Sequence, residues 1–303
     1  MNTEIRTDLA LEEQERFAGT KREISGVVLE KKTGYGGRFG VSKVVIKNEC
    51  GARAMRKPMG TYVTMEDCLI EEYEDDFYEE MSYEVGLQLG EMLKTLERRQ
   101  GIKIRKILAV GLGNRDATPD ALGPETVGRL FATDRLCAVT PDVTVKTGIE
   151  TADYIRGLVK EIHADGVIAI DSLAARNTAR LNTTIQIADT GICPGSGVGN
   201  HRMGINEETM GVPVIAIGVP TVVEAAAMVK EVMEHFLQLM EEAKTGNGIA
   251  QMYQEFTVKE KHQFACELME MSDREFFVTP KDIDENIRIL GKILAEGIEM
   301  AVE

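Results

Sequence analysis

Tryptophan is absent from this chain, and its 303 residues include only four histidines, eight prolines and five cysteines. The cysteines (Cys50, Cys68, Cys137, Cys193 and Cys266) are scattered, with no C-x-x-C pair and no His-Cys cluster. That pattern excludes a disulfide framework and a conventional zinc motif, and it predicts reduced thiols in an intracellular protein. No apolar run approaches the roughly 20 residues that a helix needs to cross a bilayer. The polar, charged N-terminus lacks the apolar region of a secretory leader, so a soluble protein with no membrane partner is expected. Basic residues are also in deficit: 35 Lys and Arg against 50 Asp and Glu leave a formal charge of −15. A nucleic-acid-binding surface carries the opposite imbalance, so no direct nucleic-acid partner is expected.

What the chain does contain is a series of short apolar runs alternating with helical patterns. Ile107–Val110 has no polar alternation, as suits a strand covered on both faces. Gly111 and Gly113 break it, and a helical pattern follows from Glu125 to Leu136. A helix over 152–162 then leads to a second buried strand over 166–170. A third strand is expected over 183–187 and a fourth over 213–217, with Pro220-Thr221 opening a long helix that ends near Ala243. This alternation predicts an α/β fold, a three-layer sandwich around a mainly parallel sheet. Upstream, β-type runs at 24–29, 41–46 and 61–64, separated by glycine turns, predict a small N-terminal antiparallel β appendage. An acidic run then leads into a helix reaching roughly Arg99, and Thr279-Pro280-Lys281-Asp282 reads as the start of the last helix. Residues 1–20 are polar and read as a mobile arm. Lys244–Gly248 reads as a linker.

Two carboxylates stand out. Asp120 lies in the turn after the first buried strand, and Asp171 directly follows the second. Open α/β sheets place their ligands beyond the carboxyl ends of their strands. If the two strands are neighbours, the carboxyls converge, one keeps a proton, and the pair can perform general acid-base hydrolysis. The alternative is that either aspartate simply caps the helix that follows it, since Asp is a favoured N-cap. Asp116 and Asp189 are the next candidates. Asp189-Thr190-Gly191 matches the tripeptide of all-β aspartic proteases, but in this alternating chain it reads as a turn. Gly195–Asn200 lacks the spacing of a phosphate loop and reads as a loop bordering the cleft, with Ser196 and His201 a weak nucleophile pair.

Long blocks of the chain resemble the spore germination proteases. They are Ile5–Ala10, Gly111–Pro124, Ile170–Arg176, Asn182–Asn200, Gly211–Pro220 and Val278–Asp282. The resemblance implies an endopeptidase that degrades the small acid-soluble proteins coating spore DNA when the spore germinates, acting in the cytoplasm of the forespore and in the spore core. It implies a homotetramer made as a zymogen, an aspartic dyad falling on Asp120 and Asp171, and no cofactor or metal. It implies a cut after an acidic residue and before a large apolar residue followed by Ala. Asp8-Leu9-Ala10 has that pattern, which makes 1–8 an expected pro-segment, removed between Asp8 and Leu9, and 9–303 a single α/β peptidase domain. Hydrogenase-maturation endopeptidases, to which the expected fold is similar, share the Gly-x-Gly-Asn turn and an acidic residue at the Asp120 position. They leave open a metal-dependent peptidase. A nucleotide-binding module without enzymatic activity is the remaining alternative.

Overall fold

The computed structural model describes residues 7–17, 24–68, 75–195, 202–242, 252–253, 255–268 and 276–303. Nine strands form one sheet: β1 (Val27–Thr33), β2 (Gly40–Ile46), β3 (Gly60–Glu66), β4 (Ile107–Gly111), β5 (Leu136–Val139), β6 (Gly166–Ala175), β7 (Ile185–Ala188), β8 (Val214–Glu224) and β9 (Phe277–Val278). Their order is β1-β2-β3-β7-β8-β6-β4-β5, with β9 beside the end of β8. The β8-β6-β4-β5 side is parallel, and β7 runs antiparallel to β8. The three N-terminal strands form an antiparallel meander that continues the same sheet through β3 and β7.

The period-two alternation of the central strands separates two cores. Ile107 and Ala109 of β4, with Ile168 and Ile170 of β6, face helices α3 (Asp75–Gln100), α4 (Leu122–Val127) and α8 (Ile283–Val302). Leu108 and Val110, with Val167 and Ala169, face α5 (Thr151–Ile162), which buries Ala152, Ile155 and Val159. Helices on both faces of a parallel core make the expected three-layer α/β sandwich. The remaining described α-helices are α1 (Ala10–Glu15), α2 (Glu49–Met55), α6 (Ala225–Glu242), α7 (Val258–Leu268) and two single turns, beside three short 3₁₀ turns. Among the described residues, no helix is long and apolar enough to cross a membrane.

Several local expectations change. β6 and β8 both run beyond their expected ends, because they stay paired from Val167↔Val214 to Ala175↔Val223 across an irregularity at Leu173/Ala174. Asp171 therefore lies inside a strand, opposite Gly218. Pro220 sits within β8, and the helix begins only at Ala225. α4 stops at Val127, and Leu136 opens the edge strand β5. The last helix starts at Ile283, while the Thr279 hydroxyl donates to the Thr221 carbonyl at 2.8 Å. The N-terminal arm is packed: Leu9, Ala10 and Leu11 have no exposed surface. The expected linker at 244–248 lies outside the described residues.

Candidate active site

The apolar run of β4 is pinned between β5 and β6, so its exit is fixed in space. Leu112 still donates to the Ile170 carbonyl of β6 at 2.8 Å, and the chain then turns at Gly113, whose φ of +107° only glycine takes up without strain. The turn closes on itself: the Asn114 amide donates to the Asp120 carbonyl at 2.9 Å, and the Asp120 amide donates to the Ala117 carbonyl at 2.7 Å. From the end of β8, the Thr221 hydroxyl fastens the Pro119 carbonyl at 2.6 Å. These bonds hold Asp120 in a short 3₁₀ turn at the mouth of the sheet.

Asp171 comes from β6, the strand beside β4. Both side chains line one cavity of about 360 Å³, together with Asp8, Gly113, Cys193, Gly195 and Arg202. Asp171 is 5% exposed, and one of its oxygens accepts the Ser172 amide at 2.9 Å. Burial, then the Asp120 charge and then the Asp8 charge push its pKa well above the usual carboxylate range, against the Ser172 amide and the Arg202 guanidinium. Burial also raises Asp120, to about 6, opposed by the Asn114 amide and by Arg202. Both environments therefore disfavour the ionised form, and two neighbouring carboxyls so placed resist ionising together. Such a pair can take a proton from water and give one to a leaving group.

The other candidates stand elsewhere. Asp116 is exposed and its carboxylate is held low, first by its 2.5 Å hydrogen bond to Lys146. Asp189 is away from the cavity, accepting the Thr61 amide at 2.7 Å and facing Arg99 at 3.4 Å, as suits a turn. Cys193, Pro194 and Gly195 bring the start of the glycine loop to the cavity wall. Ser196 and His201 lie outside the described residues. His163 ends α5 in a left-handed conformation, φ 53°, before the start of β6, whose interior carries Asp171. Among the described residues, no group of three or more His, Cys, Asp or Glu side chains could hold a metal ion.

The N-terminal arm is the part of the site that sequence reading placed least well. Asp8 is tied to β6 by one backbone and one side-chain bond: its amide donates to the Ala174 carbonyl at 2.9 Å, and the Ala174 amide donates to its Oδ2 at 2.9 Å. Leu9 fills an apolar pocket with Leu173, Ala175 and Ile192. Glu12, 3% exposed, accepts the Arg176 and Asn177 amides at 2.8 and 3.0 Å. Arg176 binds Glu13 at 2.5 Å, and Arg180 binds Glu15 at 2.7 Å and Glu66 at 3.0 Å. The polar arm that reads as mobile is thus received by arginines from beyond β6. Arg202, also missed, contributes a positive charge that acts on both aspartates.

The model of the germination protease family matches residues 4–252. The chain is 41% identical to a germination protease of Clostridium perfringens (strain 13), an alignment covering 99% of this chain and 95% of that protein. The chain belongs to the germination protease family. It is a peptidase, and its family acts in spore germination. A germination protease of Priestia megaterium is 35% identical over 98% of this chain and 93% of its own length. Among solved structures, a [NiFe] hydrogenase maturation protease, HycI from Thermococcus kodakarensis, overlays with a TM-score of 0.33 at 15% identity, covering 64% of this chain and 93% of its own.

Proposed function

We propose that this germination protease is an endopeptidase that begins the degradation of small acid-soluble, DNA-protecting spore proteins, using Asp120 and Asp171 as an acid-base pair on water. The observation that carries this reading is the shared cavity in which both aspartates resist ionisation. Asp120, the less buried of the two, is the base that takes a proton from water. Asp171, held protonated by burial and by its neighbours' charges, gives its proton to the leaving amide nitrogen. Arg202 keeps the cavity from becoming too acidic to bind an acidic substrate residue.

The reading includes processing between Asp8 and Leu9, which makes residues 1–8 a pro-segment and 9–303 the mature domain. Its support is the position of Asp8 in the cavity and of Leu9 and Ala10 in closed apolar surroundings, which match an acidic–apolar–Ala cut site. A segment tethered at its own active site needs little affinity to be cut, because its effective concentration is high. Assembly as a homotetramer in the cytoplasm of the forespore and in the spore core belongs to the same proposal, as does a reaction without metal.

Incubating the full chain with a small acid-soluble spore protein, with and without a chelator, tests the proposal. The expected result is digestion at an unchanged rate in chelator and a new N-terminus at Leu9 that is missing in Asp120→Asn. Loss of digestion on chelation, restored by a divalent ion, would place the chemistry with metal-dependent endopeptidases. A terminus that stays at Met1 while substrate is digested would remove the pro-segment from the account.

A further inference from the structure

We propose that Gln186 and Lys57 hold the carbonyl oxygen of the bond being cut and stabilise the negative charge that develops on it. The inference rests on the reading that the aspartate pair cleaves Asp8–Leu9, and it assigns the groups on the carbonyl side of that bond.

Gln186 lies on β7 and is 7% exposed. Its Nε2 donates to the Asp8 carbonyl at 3.1 Å, and its Oε1 accepts the Ala10 amide at 2.7 Å. One side-chain amide therefore spans Leu9 and pairs with the backbone on either side of it, as a neighbouring strand would. Because both of these hydrogen bonds go to main chain, it can read any sequence at that place. Lys57, just past the end of α2, donates to the same Asp8 carbonyl at 2.9 Å and to the Thr7 carbonyl at 3.2 Å. Asp8 is held on its other side by the paired contacts to Ala174. The carbonyl of the bond expected to break thus points at an ammonium and an amide N–H, while its residue lines the cavity of the two aspartates.

A carbonyl oxygen has two lone pairs, and here both have donors. In the proposed step the water oxygen bonds to the Asp8 carbonyl carbon and its proton passes to Asp120. The C=O π electrons move onto oxygen, where Lys57 and Gln186 meet the charge. As the C–O double bond re-forms, the C–N bond breaks and the Leu9 nitrogen takes the Asp171 proton. Donors fixed before the charge appears need no rearrangement when it does, and removing one such donor typically costs 10² to 10³ in rate. Residues 1–8 leave after the cut, and the same two donors then face the carbonyl of an incoming chain.

The test compares Lys57→Met, Lys57→Arg and Gln186→Met in the full chain. Two readouts are used: loss of residues 1–8 by intact mass, and steady-state cleavage of a synthetic peptide with the sequence of residues 3–14. Lys57→Met and Gln186→Met are expected to slow both reactions about 100-fold, through kcat, with KM changed less than about threefold. Lys57→Arg, which keeps a cation, is expected to recover about tenfold of the loss. Unchanged kcat with a raised KM would make the pair a substrate anchor and overturn the proposal, as would faster removal of the arm in either variant. If Gln186→Met fails to fold, the half-buried Lys57 carries the test alone. Wild-type processing elsewhere than at Asp8–Leu9, or processing that survives in Asp120→Asn, would overturn the underlying reading and this proposal with it. Asp120-dependent cleavage at Asp8–Leu9 with full kcat in Lys57→Met would overturn this proposal only.

Discussion

Asp171→Asn and Asp120→Asn are each expected to make the protein more stable at pH 7 while abolishing cleavage. The stability effect follows from the direction of the shifts. Both carboxyls have folded pKa values above their unfolded ones, so between those values the folded state binds more protons than the unfolded. Stability is then complete below the unfolded pKa, near 4, and is lost as pH rises through the folded values. For Asp120 the rise from 3.8 to about 6 is roughly two units. That corresponds to about 2 kcal/mol at pH 7 after allowance for its partial exposure. An asparagine keeps the shape and loses the penalty. Activity moves the other way, because a missing general acid or base costs 10² to 10⁴ in rate. Melting curves at pH 4 and pH 7 beside initial rates check both halves. A gain at pH 7 that vanishes at pH 4, with no measurable cleavage, is expected; activity within tenfold of wild type would remove that residue from the pair.

The second large effect belongs to Gly123→Ala. Gly123 lies in the first turn of α4, where an added Cβ would stand 2.3 Å from the Leu112 carbonyl oxygen, 2.5 Å from the Leu112 nitrogen and 2.6 Å from the Ile170 carbonyl oxygen. All three atoms are backbone, and the Leu112–Ile170 hydrogen bond runs between two of them. No rotamer change makes room, so α4 and the Asp120 turn must move away from β6. Overpacking of this kind costs about 3 kcal/mol, and misplacing a catalytic group by about 1 Å costs on the order of 100-fold in rate. Gly157→Ala is the control: its Cβ would meet nothing within 4 Å on the exposed side of α5. It is expected to keep full activity and to gain up to about 1 kcal/mol. Chemical denaturation and peptide cleavage measured on both variants decide the point. A Gly123→Ala enzyme with wild-type stability would show that the close packing of α4 on β6 is not what fixes the site.

The central strands were legible because a strand buried on both faces must be apolar throughout, and Ile107–Val110 and Val167–Ile170 are. Their lengths were not, because the extension of β6 past Asp171 depends on β8 continuing beside it, a long-range pairing that local pattern does not encode. For the same reason Pro220 read as a helix start, although it falls at the end of the run that pairs with β6 before the register shifts. β5 was missed because four residues at a sheet edge, Leu136–Val139, carry too little alternation to interrupt a helical pattern. The aspartates were visible as chemistry after strands. Their convergence needed β4 and β6 to be neighbours, which only the topology supplies. The arm failed to read as buried because Glu12, Glu13 and Glu15 look solvated until Arg176 and Arg180, more than 160 residues later, meet them.

The most direct test of the account is to follow the Asp120 and Asp171 carboxyl carbons by NMR between pH 3 and pH 9. Asp120 is expected to titrate near 6, while Asp171 stays protonated beyond that point. In Asp120→Asn, Asp171 should titrate at lower pH, since a neighbouring negative charge has gone. Two carboxyls that both ionise near pH 4, with Asp171 unmoved by the substitution, would contradict a shared proton and the acid-base pair built on it.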